Sequence, residues 1–123
     1  GDPSLRSLAG QLNGLAPPPA EAPPDRAAAL QAALSTAMAE LFANTGPTGQ
    51  RAMAAMAARL SDGVSEGLDP AEAEASRAAG EAVARHVLDW ARTDGGQVVE
   101  NMGFPYDWPA AEEPGAWVPT SRI

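Results

Sequence analysis

The side chains able to do chemistry are few and scattered. His86 is the only histidine, and there is no cysteine. A general base needs an accessible site and a partner that orients it. At helical spacing, His86 falls with Val83 and Trp90, on or beside the face a helix would turn inward. Glu81 and Asp89 lie close in sequence but not one turn away from it, whereas Arg85 and Asp89 can pair with each other across one turn. The reading that fits is a half-buried histidine at a helix seam, set against a catalytic or ligand role. One histidine without cysteine cannot build a structural zinc site. Asp69, Glu72 and Glu74 gather at a helix start, where capping and the helix dipole account for them.

The remaining candidates lack their context. Asp2, Asp62 and Asp94 sit near chain breaks, where aspartate serves turns. Their spacing to glycine does not match a calcium loop. Ser61, Ser65 and Ser76 carry hydroxyls, but none stands in a G-x-S-x-G setting. Gly95-Gly96 lacks the strand, helix and lysine of a phosphate loop. Met53 and Met56, with Met38, are spaced as core filler, and no histidine or cysteine stands nearby to make a soft metal box. Nothing here assembles a nucleophile, a base and an oxyanion site. The reading assigns no catalytic, cofactor-binding or metal-binding residue to this chain.

The elements that must position these groups are helices. The sequence reads as all-α, an antiparallel helical bundle fragment with a proline-rich extended C-terminal strap. Residues 1–15 carry Leu5, Leu8, Leu12 and Leu15 at helical spacing, predicting a short N-terminal helix weakened by Gly10 and Gly14. Residues 16–25, APPPAEAPPD, hold five prolines, which exclude a helix or sheet interior. That stretch is a linker, either a loose surface connection or a strap pinned along a neighbour.

Residues 26–96 form the bundle portion. Asp25 caps a helix to about Ala43, whose apolar face is Leu30, Leu34, Met38 with Ala37, and Leu41 with Phe42. Asn44-Thr45-Gly46-Pro47 breaks it. A second helix runs from Pro47 to Leu60 or Val64, with Met53, Met56, Leu60 and Val64 as its expected buried face. Asp69-Pro70-Ala71-Glu72 starts the third: aspartate caps, proline takes the first helical position, glutamate falls three after the cap. This helix is expected to reach Arg92 with Ser76, Ala79, Gly80, Val83, Val87, Trp90 and Ala91 inward. Ala79 and Gly80 would let another helix come close.

Residues 97–123 change texture. They have no helical period, many prolines, and Phe104, Tyr106, Trp108 and Trp117. Disordered segments lack aromatics. The expectation is an extended strap with aromatic anchors laid into grooves of these helices or of another body. Within EEPGAWVPT, residues 112–120, Pro114 and Pro119 hold the flanks extended and Gly115 allows a bend around the Trp117 anchor. Glu112-Glu113 reads as a solvated pair.

Composition bounds the partners. The formal charge is −8, from 16 acidic and 8 basic residues, with no lysine. That excludes nucleic acid, whose phosphates demand clustered cations. No run of 18 apolar residues offers a membrane span. A soluble protein follows; the compartment is open, a secreted or periplasmic one included if a leader has been removed. Alanine-rich helices bury little area, far less than the roughly 1.5–3 kcal/mol of a buried Leu or Phe. Helices leaning on a second body are the natural expectation.

SRAAGEAVARHVLDWARTDGG followed by EEPGAWVPT resembles the N-terminal helical half of bacterial-type vanadium-dependent haloperoxidases and the type 2 phosphatidic acid phosphatase superfamily. The matching residues are Gly80, Val83, Trp90, Asp94 and Gly95, then Pro114, Gly115, Trp117, Pro119 and Thr120. Leu41-Phe42 and Arg51 to Leu60 match the upstream pattern loosely, and the likeness covers about residues 26–120. The resemblance implies an enzyme that binds phosphate or vanadate between cationic donors. A histidine acts there on the apical group, in phosphate ester hydrolysis or peroxide-dependent halide oxidation. The lysine, arginines and Ser-Gly-His element that do this lie downstream in that family, and none maps onto a position here. The implied role is structural: these helices brace a catalytic half, on the same polypeptide or on a separate chain after cleavage. Vanadate or phosphate belongs to the complete protein. The alternative is a non-catalytic helical binding or structural module.

If Trp117 anchors the strap, Trp117→Ala weakens docking by about 3–5 kcal/mol, as truncation of other large buried aromatics does. Urea unfolding of the assembled protein measures it; a change near zero would place Trp117 in solvent.

Overall fold

The computed structural model describes residues 6–18, 21–93 and 113–116. Among these residues three helices make the fold: α1 (Arg26–Leu41), α2 (Pro47–Ser65) and α3 (Pro70–Ala91). No strand occurs among the described residues. The boundaries follow local chemistry. The Asp25 carboxylate accepts from the Ala28 N–H at 2.8 Å and caps α1. Asp69 accepts from the Ala71 N–H at 2.8 Å, with Pro70 at the first position of α3. At the end of α1 the Gln50 amide donates to the carbonyls of Phe42 and Ala43, at 2.8 and 2.9 Å. Carbonyls that run out of intrahelical partners are thus satisfied from the next helix. Gly67, at φ 82°, turns the chain after α2.

Packing is uneven. α1 runs antiparallel to α2, with Gln31 donating to the Ala57 carbonyl at 3.1 Å near mid-helix. It runs parallel to α3: Asp25 meets Ser76, Ala29 meets Gly80, and Glu40 pairs with Arg92. α1 therefore lies between the other two, and the α1–α3 contact is the more extensive. Its surface is made of small residues. Ala28, Ala29 and Ala32 are buried from α1; Ser76, Gly80, Ala84 and Leu88 are buried from α3. A side chain at position 80 would put its Cβ 2.0 Å from the Ala29 carbonyl oxygen. Only glycine permits this approach. Ser76, fully buried, accepts the Asp25 N–H through its hydroxyl at 2.8 Å.

Several expectations are corrected here. The helix read over residues 1–15 is not formed across 6–15, which fold into turns with Gly10 and Gly14 at φ 77° and 73°. A left-handed residue twice in five positions ends helical propagation. The leucine face of α1 is not buried: Leu30, Leu34, Met38, Leu41 and Phe42 are all exposed. Nor is the expected face of α2. Met53 and Val64 are half-buried, Met56 and Leu60 exposed, and no α2 residue is fully buried. On α3, Ser76 and Gly80 face inward as read, Ala79, Val83, Trp90 and Ala91 are half-buried, and Val87 is exposed, while Ala84 and Leu88 complete the inner row. The reason is one of distance. The α1–α3 axes close until the alanine and glycine ridges touch, which leaves the long side chains of α1 on its other flank.

Gly80→Ala is expected to destabilise the chain by at least about 1–3 kcal/mol, the usual cost of overpacking, because the added methyl meets backbone. Urea titration followed by far-UV circular dichroism measures it.

Candidate functional site

His86 is half-buried on α3. Its Nε2 lies 2.8 Å from the Ala16 carbonyl oxygen, so that nitrogen carries the proton and donates. One turn on, the Trp90 indole N–H donates to the Asn13 carbonyl at 2.7 Å. Leu15, between these two carbonyls in sequence, is buried while Asn13, Gly14 and Ala16 are exposed. Residues 13–16 are thus held against α3, and residue 25 is held at Ser76. The proline-rich stretch is thus held at its two ends, Ala16 and Asp25, while Pro17, Pro18, Glu21, Ala22 and Pro24 between them are exposed.

Glu74, Glu81 and Asp89 of α3 and Glu40 of α1 stand in ion pairs at the surface. Glu74 and Arg77 lie 2.5 Å apart, Arg77 also pairs with Glu81, and Glu81 pairs with Arg85 at 2.8 Å. Asp89 pairs with Arg92 at 2.5 Å, so the Arg85–Asp89 pair suggested by spacing gives way to these two. Arg92 also reaches Glu40 of α1 and ties the ends of the two helices together. Hydrogen bonding from Arg77, then its charge, holds the Glu74 carboxyl below its ordinary range. The hydrogen bonds that Arg77 donates to Glu74 and then to Glu81 push its guanidinium higher still. Asp62 and Asp69 are exposed. Among the described residues no three of His, Cys, Asp and Glu come together as a metal would require.

The structure does build an apolar face. Between α1 and α2 lies a groove of about 500 Å³, lined chiefly by Leu34 and Met38 from α1 and Met53, Met56 and Leu60 from α2. Leu34 is 58% exposed and Met56 55%. Gln31, Ser35 and Gln50 supply its only polar margin. A contiguous apolar surface of this sort on a small unit marks a contact with another body. Its three methionines can adjust to the shape of what they meet. The leucine and methionine stripes were legible in the sequence, but as core. What could have redirected the reading is the alanine row on another side of α1, which competes with the leucines for the core.

Within EEPGAWVPT, Glu113–Ala116 forms a tight turn. The Ala116 N–H donates to the Glu113 carbonyl at 3.0 Å, and Gly115 sits at φ 92° after Pro114. Proline second and left-handed glycine third is the type II pattern. The bend read at Gly115 is there, and Glu113 is exposed. Phe104, Tyr106, Trp108, Trp117, Pro119 and Thr120, and Asp94 with Gly95, lie outside the described residues.

Among the described residues, fold and surface define a small helical unit with an open apolar groove and an N-terminal strap. No helix among the described residues is long and apolar enough to cross a membrane. No family model, curated protein or solved structure matches the chain.

The depressed Glu74 carboxyl fixes a sign. Its contribution to stability is present above the ordinary carboxylate range and is lost as pH falls through the lowered value. A thermal melt series across the acid range should show wild type losing its small advantage over Glu74→Gln at the low end. At about 1 M salt, where screening reaches ~3 Å, that advantage should shrink throughout.

Proposed function

We propose that this chain is a non-catalytic helical module that docks on a second polypeptide through the groove between α1 and α2. The observation that carries this is the exposure of the long apolar side chains of both helices, with no fully buried residue anywhere on α2. A helix whose apolar stripe is left open gains most of its stability from what covers that stripe. The core is built of Ala28, Ala29, Ala32 and Ala84 with Leu15 and Leu88, which bury little area by themselves. Docking supplies the rest.

A more specific reading of the partner is supported by the sequence motif and the Pro114-Gly115 turn. The partner would be the catalytic half of a haloperoxidase-like or phosphatase-like enzyme, rich in the cationic donors that hold phosphate or vanadate. The −8 charge of this chain complements such a body. In this reading the helices brace the active half and contribute no group to its chemistry.

The double variant Met56→Glu/Leu60→Glu tests the docking face. It should keep its helical circular dichroism, because both positions are exposed, and lose the fluorescence of an apolar dye that the wild type binds. Assembly with the second polypeptide, followed by native mass spectrometry, should fail. Loss of helicity, or unchanged assembly, would refute the face. Sequencing of that polypeptide, with assays of the assembly for phosphate release and vanadate-dependent bromination, tests the finer reading.

A further inference from the structure

Residues 6–18 are held to the helices in an unusual way. Their long-range hydrogen bonds come from two side chains one turn apart on α3, His86 and Trp90, and both are received by backbone carbonyls, Ala16 and Asn13. One side chain of the segment, Leu15, is buried; Leu8 and Leu12 are exposed. The segment also holds its own shape. The Gly10 N–H donates to the Leu15 carbonyl at 2.9 Å, Gln11 and Leu12 donate to the Leu8 carbonyl, and Gly10 and Gly14 take the left-handed conformation that closes the loop. A preformed loop with one apolar anchor, whose carbonyls are read by fixed donors, is how a folded domain receives a peptide. A preformed loop also loses little conformational freedom on docking.

We propose that the α3 surface carrying His86 and Trp90 is a peptide-recognition site, filled in this chain by its own residues 13–16. The strap leaves that site as a unit while the three helices stay folded. The site takes a leucine-centred turn followed by an extended proline-rich stretch. Two features support separability. The close approach at Gly80 is made to the backbone of Ala29, outside residues 6–18. The strap's two donors are half-buried side chains whose removal takes no backbone out of a helix. Its surface is distinct from the α1–α2 groove, so the proposal does not rest on docking there.

The test uses the full chain with Leu15→Asp, which empties the site, and a labelled synthetic peptide with the sequence of residues 6–18. By fluorescence anisotropy the peptide should bind the Leu15→Asp chain at least about tenfold more tightly than wild type, where the strap competes. Adding Trp90→Phe, which keeps a ring but removes the indole N–H, should weaken that binding about fivefold, the worth of one hydrogen bond. A peptide with its own Leu15→Asp should not bind. In wild type, the Gly10 and Leu15 amides should exchange with deuterium faster than those of α1 and α3. If Leu15→Asp melts the helices, the strap does not leave its site as a unit and the proposal falls. It falls equally if the helices persist and the peptide does not bind, or if Trp90→Phe leaves binding unchanged.

Discussion

The fold depends on one close approach, the backbone of α1 at Ala29 lying against Gly80 of α3. At that separation position 80 has no room for a Cβ, and the positions beside it on the seam take small side chains. The buried row of α3 meets that demand with Ser76, Gly80 and Ala84, and that of α1 with Ala28, Ala29 and Ala32. The seam also fixes direction and register. Ser76 takes the N–H of the α1 cap residue at one end, and Arg92 takes Glu40 at the other. A parallel pair of this kind cannot be joined by a short loop, so α2 is the return segment between them.

From this constraint follows the surface. A helix has limited circumference, and α1 commits one side to α3. Its leucines and Met38 are turned toward α2 and solvent, where the groove opens. α2 reaches α1 through Gln31 and Gln50 hydrogen bonds as much as through apolar contact. The α1–α3 seam is therefore packed mainly on small residues, while the long apolar side chains of α1 stay exposed. That division is economical for a unit that meets another surface, because the apolar side chains are already ordered on helices.

The N-terminal segment shows how far local pattern can mislead. Leu5, Leu8, Leu12 and Leu15 have helical spacing, yet two left-handed glycines convert the described part into a closed turn with Leu15 alone buried. The proline-rich stretch was legible as non-helical, and its attachment was not. His86 is half-buried as read, but it meets the strap rather than a helix seam, and Trp90, expected on the inner face of α3, is half-buried and bonds to the same strap. The bend at Gly115 was legible because proline followed by glycine has few alternatives.

The sequence by itself determined the three helices and their ends. Asp25, Asp69, Pro47 and Pro70 act within one turn of where they stand, so their effect needs no distant partner. It also determined that Gly80 marks a close approach. Which stripe of α1 is buried was decided only by tertiary structure, because α1 carries both a small-residue row and a large apolar row. Either could face a core when read alone. The choice belongs to α3, whose Ser76-Gly80-Ala84 row fits one of them and leaves the other open.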